Sequence, residues 1–396
     1  MLNKLIALGL ILGLLVGLGA AATGHPALLW VSKASAPFGA LFVNAVKMIV
    51  IPLVVSVIFA SVARLGDLKA LGRLGGTAGA YYFATLIPAV AIGMGVSALA
   101  LRFVPEVALP DTDAVTVPAL QSLSDFFVQL IPSNIFAAAS AGRILPLVVF
   151  AALLAAATAT LEPARRDRLV QGAEDIGAAL IKLVWWILWL APIGVFGLIA
   201  PATAAMGWGL VQSLGVFILA VGIGLLIFVA LIYLPTFAVM QRKPLSTIKS
   251  LGGAIGIAVS TTSTATAIPV TLEETQKLGV SATTAELLVP LGASLYRPGS
   301  ALFQGAAIIF LAHLYGVPVG MGSVVAVLFA TLLVSLTVAP VPSSGVVTMA
   351  PALDAIGVPV AGLALLLGVD RLPDMMRSGV NVLGQATTAV VADRRL

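Results

Sequence analysis

The chain has 396 residues, of which 60% are hydrophobic and 9% charged, with a formal net charge of +5 and no cysteine. Soluble domains carry about a quarter charged residues and about half apolar ones, so water is not the main solvent of this chain. Without cysteine there is no disulfide framework, thiolate metal site or cysteine nucleophile, and the scattered basic residues form no tract for nucleic acid.

In chain order, Met1 to about Gly24 holds Lys4 and an apolar run ending in Ala-Ala-Ala. The run is longer than the core of a secretory signal and precedes other membrane-embedded segments, so a first span is expected, without cleavage. Further spans are predicted near residues 38–62, 76–102, 143–160, 176–200 and 212–236, the first lying near 4–23. Gly79, Gly93 and Gly95 in the third are expected to permit close helix approach. Trp185, Trp186 and Trp189 read as interface or packing aromatics, and Lys47 and Lys182 as snorkelling side chains.

Short cytoplasmic loops collect Lys and Arg. One set of loops holds Arg64, Lys69 and Arg73, then Arg165, Arg166 and Arg168, then Arg242, Lys243 and Lys249. The other holds Lys33, and Arg102 with Glu106, Asp111, Asp113 and Asp125. Both termini are therefore expected on the cytoplasmic side of the cell (inner) membrane, with Arg394 and Arg395 after the last span. No linker divides residues 1–396, which read as one multi-pass unit.

Around Ser260–Pro269, and again around Pro340–Gly345, a long apolar stretch is broken by small polar residues and proline. Irregular backbone at membrane depth survives only where protein or a water-filled cavity satisfies its hydrogen bonds. Two such breaks imply two re-entrant hairpins and point to a solute site between half-helix ends. The hydroxyls and free N–H groups of Ser260–Pro269 suit an anion; packing of small residues is the plainer reading.

The last span, about Ala361–Ala392, carries Asp370, Asp374, Arg377, Asn381 and Gln385 at spacings of four, three, four and four. At 100° per residue they share an arc of roughly 80°. Ionisable groups at such depth face the protein interior, pair, and mark function. An arginine there offers a fork to a carboxylate, and a nearby carboxylate can hold an ammonium group, so the stripe suits a zwitterion. A structural Asp370–Arg377 pair with Asn381 and Gln385 as interhelical glue is the alternative.

The motifs Lys47-Met-Ile-Val-Ile-Pro-Leu53, Ile131-Pro-Ser-Asn-Ile135, Leu145-Pro-Leu, Ala191-Pro-Ile-Gly-Val-Phe196, Ile268-Pro-Val-Thr271, Pro290-Leu-Gly-Ala293 and Asp370 to Asn381 span nearly the whole chain. Together they resemble the dicarboxylate/amino acid:cation symporters that include glutamate and aspartate transporters. The resemblance implies an all-α membrane protein of eight transmembrane helices and two re-entrant helical hairpins with inverted repeats. It further implies a homotrimer. Residues 1–72 and 143–205 (spans 1, 2, 4 and 5) would be mainly scaffold and trimerisation surface. Residues 73–142, 206–247 and 248–396 (spans 3, 6, 7, 8 and both hairpins) would be mainly a transport domain that moves like an elevator.

By the same resemblance, Arg377 holds a substrate side-chain carboxylate, Asp370 braces it, and Asp374 takes the substrate amino group. Ser378 and Asn381 match polar ligands on that helix, Ser263 and Thr264 the first hairpin tip, and Ser300 a threonine near the side-chain carboxylate. Val341-Pro-Ser-Ser-Gly345 matches the gating tip, with Val341 and Gly345 expected at the substrate.

One departure bears on coupling. Most members read Asn-Met-Asp-Gly-Thr where this chain reads Tyr296-Arg-Pro-Gly-Ser300, and a later aspartate on the last span is Gln385 here. Hard cations want several oxygen ligands with negative charge. Two sodium sites are therefore expected to be empty, with Arg297 supplying their positive charge permanently and Tyr296 and Gln385 standing at the former ligands. The expected function is proton-coupled or otherwise sodium-independent uptake of aspartate or glutamate. If Arg297 instead pairs with Asp374 or Asp370, a C4-dicarboxylate held by two arginines fits; a sodium-coupled symporter with fewer sites and an anion channel are further alternatives. No cofactor, metal or catalytic residue is expected, since His25 and His313 lie far apart at predicted membrane edges and no metal or triad spacing occurs. The expected partners are a small anionic or zwitterionic substrate and the lipid bilayer.

Overall fold

A computed structural model of the chain describes residues 2–70, 72–104, 128, 131–141, 144–241, 243–335 and 344–394. No strand occurs among the described residues. The helices are α1 (Leu2–Thr23), α2 (Pro26–Ala70), α3 (Arg73–Ala100), α4 (Ile135–Ser140), α5 (Ile144–Thr158), α6 (Pro163–Leu188) and α7 (Ala191–Met206). They continue as α8 (Trp208–Phe228), α9 (Leu234–Gln241), α10 (Pro244–Ser250), α11 (Gly252–Thr261), α12 (Ile268–Lys277), α13 (Ala282–Leu295) and α14 (Pro298–Leu314). The last are α15 (Met321–Ser335), α16 (Ser344–Val347), α17 (Ala350–Asp354), α18 (Leu363–Val369) and α19 (Arg371–Asp393).

Among the described residues, Lys4–Thr23, Leu74–Phe103 and Trp208–Gln241 are long and apolar enough to cross a membrane, at the expected first, third and sixth spans. The second lies inside α2, which carries Pro37 and Pro52, and the fourth corresponds to α5. The fifth, expected at 176–200, is divided: α6 ends at Leu188 and α7 begins at Ala191. Pro192 explains the break, because its ring clashes with the carbonyl four residues earlier and it has no N–H to donate.

Close approach of backbones organises the packing. α1 and α2 lie on α7, and α2 also lies on α5 and α6. Gly9 sits against the Pro192 carbonyl, and a Cβ at Gly197 would lie 2.7 Å from the Gly39 nitrogen. α3 lies along α14 and α8, while α19 is ringed by α11, α13 and α14. Gly93 faces the Leu302 carbonyl and Gly305 the Val90 carbonyl, so small residues let α3 and α14 touch backbone to backbone. The expectation fails for Gly79 and Gly95, where an added Cβ meets nothing within 4 Å. Between α8 and α9 the chain forms one π turn, Val229–Tyr233, which carries the buried Tyr233 toward α19, its hydroxyl 3.4 Å from the Val380 carbonyl.

Trp186 and Trp189 are exposed, as interface aromatics would be, while the side chains of Trp185 and Lys47 lie outside the described ones. His25 is exposed; His313, expected at a membrane edge, is half-buried in the last turn of α14, with its Nε2 enclosed.

Candidate functional site

The site begins with a proline. Pro298 forces the residue before it out of the α region and removes a helix donor. Tyr296 and Arg297 are accordingly extended (φ −125° and −136°), and they separate α13 from α14. The first amides of α14 then need acceptors. Asn381 of α19 supplies one: its Oδ1 accepts from Gly299 N at 2.8 Å and Ser300 N at 3.4 Å. Its Nδ2 donates to Ser300 Oγ at 3.1 Å. Glycine is required at 299, since a Cβ would lie 2.6 Å from the Arg377 carbonyl.

The expected last span is also interrupted. Pro373 cannot bond back to Val369, and the chain turns at Asp370 between α18 and α19. The turn brings Asp370 onto the guanidinium of Arg377. Arg377 Nη1 and Nη2 lie 2.9 and 3.0 Å from Asp370 Oδ1 and Oδ2, a two-point contact. Its Nε and Nη2 lie 3.0 and 2.9 Å from Asp374 Oδ1. The Phe303 ring of α14 covers the cation at 4.3 Å. Arg377 is 1% exposed, Asp370 1% and Asp374 6%, so the three charges depend on one another for the solvation they lost.

Two further arginines hold the turn between α11 and α12. Arg297 is buried and donates from Nη2 to Thr264 Oγ1 at 2.6 Å and to the Ala293 carbonyl at 3.0 Å, with Nε reaching the same carbonyl at 3.2 Å. Arg371 donates to Thr262 Oγ1 at 2.9 Å and to the Ser260 carbonyl at 3.3 Å. Thr262 has φ +53°, an unfavourable conformation for a β-branched residue. The tip Thr262–Ala267 is therefore strained and is pinned from both sides. At its base the Glu274 carboxylate accepts from Gly253 N and Ala254 N at 3.1 and 3.0 Å, the arrangement that suits a helix N-terminus.

Helix α16 reaches the same place. Gly345 of α16 packs on Arg377, its absent Cβ 3.4 Å from Cζ. Gln304 of α14 donates from Nε2 to the Gly345 carbonyl at 3.0 Å and to Thr348 Oγ1 at 3.2 Å. Val341 lies outside the described residues.

Of the expected site residues, Asp370, Asp374, Arg377 and Gly345 come together, Arg297 joins Thr264, and Asn381 joins Ser300. Ser263 is half-buried at the hairpin tip and Ser378 is buried on α19. Tyr296 and Gln385 occupy a second layer, because Gln385 is eight residues beyond Arg377, about 12 Å along the helix. There Tyr296 stacks on Tyr82 at 4.4 Å and bonds Thr85 Oγ1 at 2.6 Å, while both polar atoms of Gln385 are buried without a hydrogen-bond partner. Arg371, Gln304 and Phe303 were not anticipated. An arginine inside an apolar span is itself a signal, but Arg371 lies about 100° from Asp370 on a helical wheel and so falls off the stripe.

Residues 2–395 match the sodium:dicarboxylate symporter family. The chain is similar to the proton/sodium-glutamate symport protein of Bacillus caldotenax, 31% identical over 98% of this chain and 93% of that protein. It is 30% identical to the proton/glutamate-aspartate symporter of Escherichia coli (strain K12), over 90% and 84% of the two chains. It is also 30% identical to the C4-dicarboxylate transport protein of Anaeromyxobacter sp. (strain K), over 98% and 88%. A buried arginine–carboxylate cluster at broken helices in an apolar all-helical chain agrees with these matches: this is a multi-pass membrane transporter, not an enzyme, and it belongs to the sodium:dicarboxylate symporter family.

Proposed function

We propose that the chain carries an acidic amino acid, aspartate or glutamate, across the cell membrane without sodium, with protons as the driving ion. The observation that carries this reading is Arg297, a buried guanidinium fixed by Thr264 and Ala293 beside the Arg377 cluster. It places a permanent positive charge where relatives of the family are expected to hold sodium. Substrate binds with its side-chain carboxylate on the Arg377 fork and its ammonium group on Asp374, and in the empty site Asp370 braces the arginine. Asn381, Ser378, Ser300, Ser263, Thr264, Val341 and Gly345 complete the pocket. Relatives named for proton/glutamate-aspartate symport support the substrate class and the ion.

The carrier has eight spans and two hairpins, both termini in the cytoplasm, and assembles as a trimer. Residues 1–72 and 143–205 form its scaffold, and residues 73–142 and 206–396 the moving transport domain. The packing of α1, α2, α5, α6 and α7 on one another, and of α3, α8, α11, α13 and α14 around α19, supports that division and an elevator movement.

Uptake of labelled L-aspartate into proteoliposomes, under separate sodium and proton gradients, tests the proposal. Accumulation with a proton gradient in sodium-free buffer is expected; strict dependence on sodium refutes it. A second reading, a C4-dicarboxylate carrier, draws support from two buried arginines and from relatives named C4-dicarboxylate transport protein. Succinate that displaces labelled aspartate and is itself accumulated with higher affinity would favour it.

A further inference from the structure

Resting on that reading, we infer that one proton crosses with each monoanionic substrate and that Asp370 is its seat. Arg297, Arg377, Asp370 and Asp374 are buried together, and their formal charges sum to zero. The empty closed site therefore crosses the bilayer with no compensating ion, which an uncompensated buried charge would require. Aspartate or glutamate adds one negative charge at neutral pH. That charge must be cancelled before the loaded site moves.

The geometry indicates where. Arg377 is engaged on both sides by Asp370 and Asp374, so a substrate carboxylate that takes the guanidinium fork displaces carboxylate from it. The substrate offers Asp374 an ammonium group in exchange. It offers Asp370, on the opposite flank at the turn between α18 and α19, nothing of that kind. On loading, a proton from the side of higher proton concentration binds an Asp370 carboxylate oxygen, and on unloading it leaves to the other side; no bond to substrate is made or broken.

Among the described residues, the other charged groups are placed to do neither job. Arg371 is half-exposed and committed to the first hairpin tip. On the helices packed against α18 and α19, Glu273, Glu274 and Lys277 lie at the hairpin base, and Glu286 on α13 and Lys4 on α1 are exposed. His313 closes the far end of α14, and Tyr81, Tyr82, Tyr233 and Tyr296 lie in the second layer.

The test uses the purified wild-type protein in weakly buffered, sodium-free detergent solution with a pH-indicator dye. Saturating L-aspartate is expected to draw about one proton per chain from solution; none, or two, overturns the stoichiometry. Infrared difference spectra on binding are expected to show a new protonated-carboxyl stretch that does not move when the aspartate is 13C-labelled in both carboxyl groups. A band that moves with the label puts the proton on the substrate and overturns the seat. Asp370→Glu, which keeps a carboxylate, is expected to shift that band, and an unshifted band overturns Asp370 as the seat. Asp370→Asn that binds L-aspartate but takes up no proton supports the seat; uptake of about one proton by that variant overturns it. If wild type binds L-aspartate only with sodium, the functional reading fails and this inference with it, whereas sodium-free binding without proton uptake sinks this inference alone.

Discussion

Arg297→Met isolates the proposed replacement for a cation. Methionine keeps the apolar stem and removes three hydrogen bonds, two to the Ala293 carbonyl and one to Thr264. The buried charge sum falls from zero to −1. Removing one member of a buried charge group costs about 3–5 kcal/mol, and a stranded acceptor such as Ala293 O adds about 1–3 kcal/mol. Part of this destabilises the empty protein and cancels in a binding measurement. Taking about 3 kcal/mol as the share felt by an incoming anion, the affinity for L-aspartate falls about 100-fold. Arg297→Lys restores the charge as a point without the fork, so a smaller loss, about tenfold, is expected. Isothermal calorimetry in sodium-free buffer on protein that elutes as wild type measures both. If Arg297→Met binds within about threefold of wild type, Arg297 does not compensate charge at the site.

Gln304→Leu removes the donor that ties Gly345 and Thr348 to α14; about 1–2 kcal/mol lost from that contact beside the proposed substrate site predicts substrate dissociation about 5–30-fold faster in stopped-flow measurements. Gly93→Ala thrusts a methyl into the Leu302 carbonyl and is expected to cost about 1–3 kcal/mol of stability, seen as a lower melting temperature, whereas Gly79→Ala, which meets open space, leaves it unchanged or raised. Asp393, just past the last span, is partly desolvated, but its bonds from Ser281 and Thr284 outweigh that and hold its carboxyl below the usual range. Its contribution is therefore fully present at neutral pH and is lost as pH falls through its lowered value, so Asp393→Asn is expected to flatten the acid limb of a melting-temperature profile.

Much of the fold is legible because lipid imposes a simple rule: apolar runs of sufficient length become spans, and breaks in them must be buried. The first, third and sixth spans and the break at Ser260–Pro269 follow from that rule. The fifth span misleads because hydropathy is blind to Pro192, whose missing donor and ring decide the outcome against an unbroken apolar run. Gly79 and Gly95 mislead for the opposite reason. A glycine in a helix permits close approach, but only the orientation of a neighbour determines whether approach occurs, and α14 runs past Gly93 alone.

The stripe on the last span is legible as a face and illegible as chemistry. Its helical arc gathers Asp370 through Gln385, yet the structure divides it at Asn381, which caps α14 with one end of its amide and meets Ser300 with the other. Above that point lie the charges; beyond it lie rings and neutral amides. The two halves were inseparable in sequence because Tyr296 and Pro298 act through partners distant along the chain. Tyr296 fits only because residue 384 is glycine, where a Cβ would lie 2.7 Å from its ring and 3.3 Å from Pro298, and because Tyr82 and Thr85 receive its face and its hydroxyl. Aromatic carbon fills that volume, and on the proposed reading it takes the oxygen-lined space a hard cation needs while Arg297, one residue later, supplies the positive charge. A revertant at one position, Tyr296→Asn, would therefore restore a ligand without restoring a site: sodium affinity is expected to stay undetectable by calorimetry until Arg297, Pro298 and Gln385 are changed with it, and tight sodium binding by the single variant would show that the substitutions are independent.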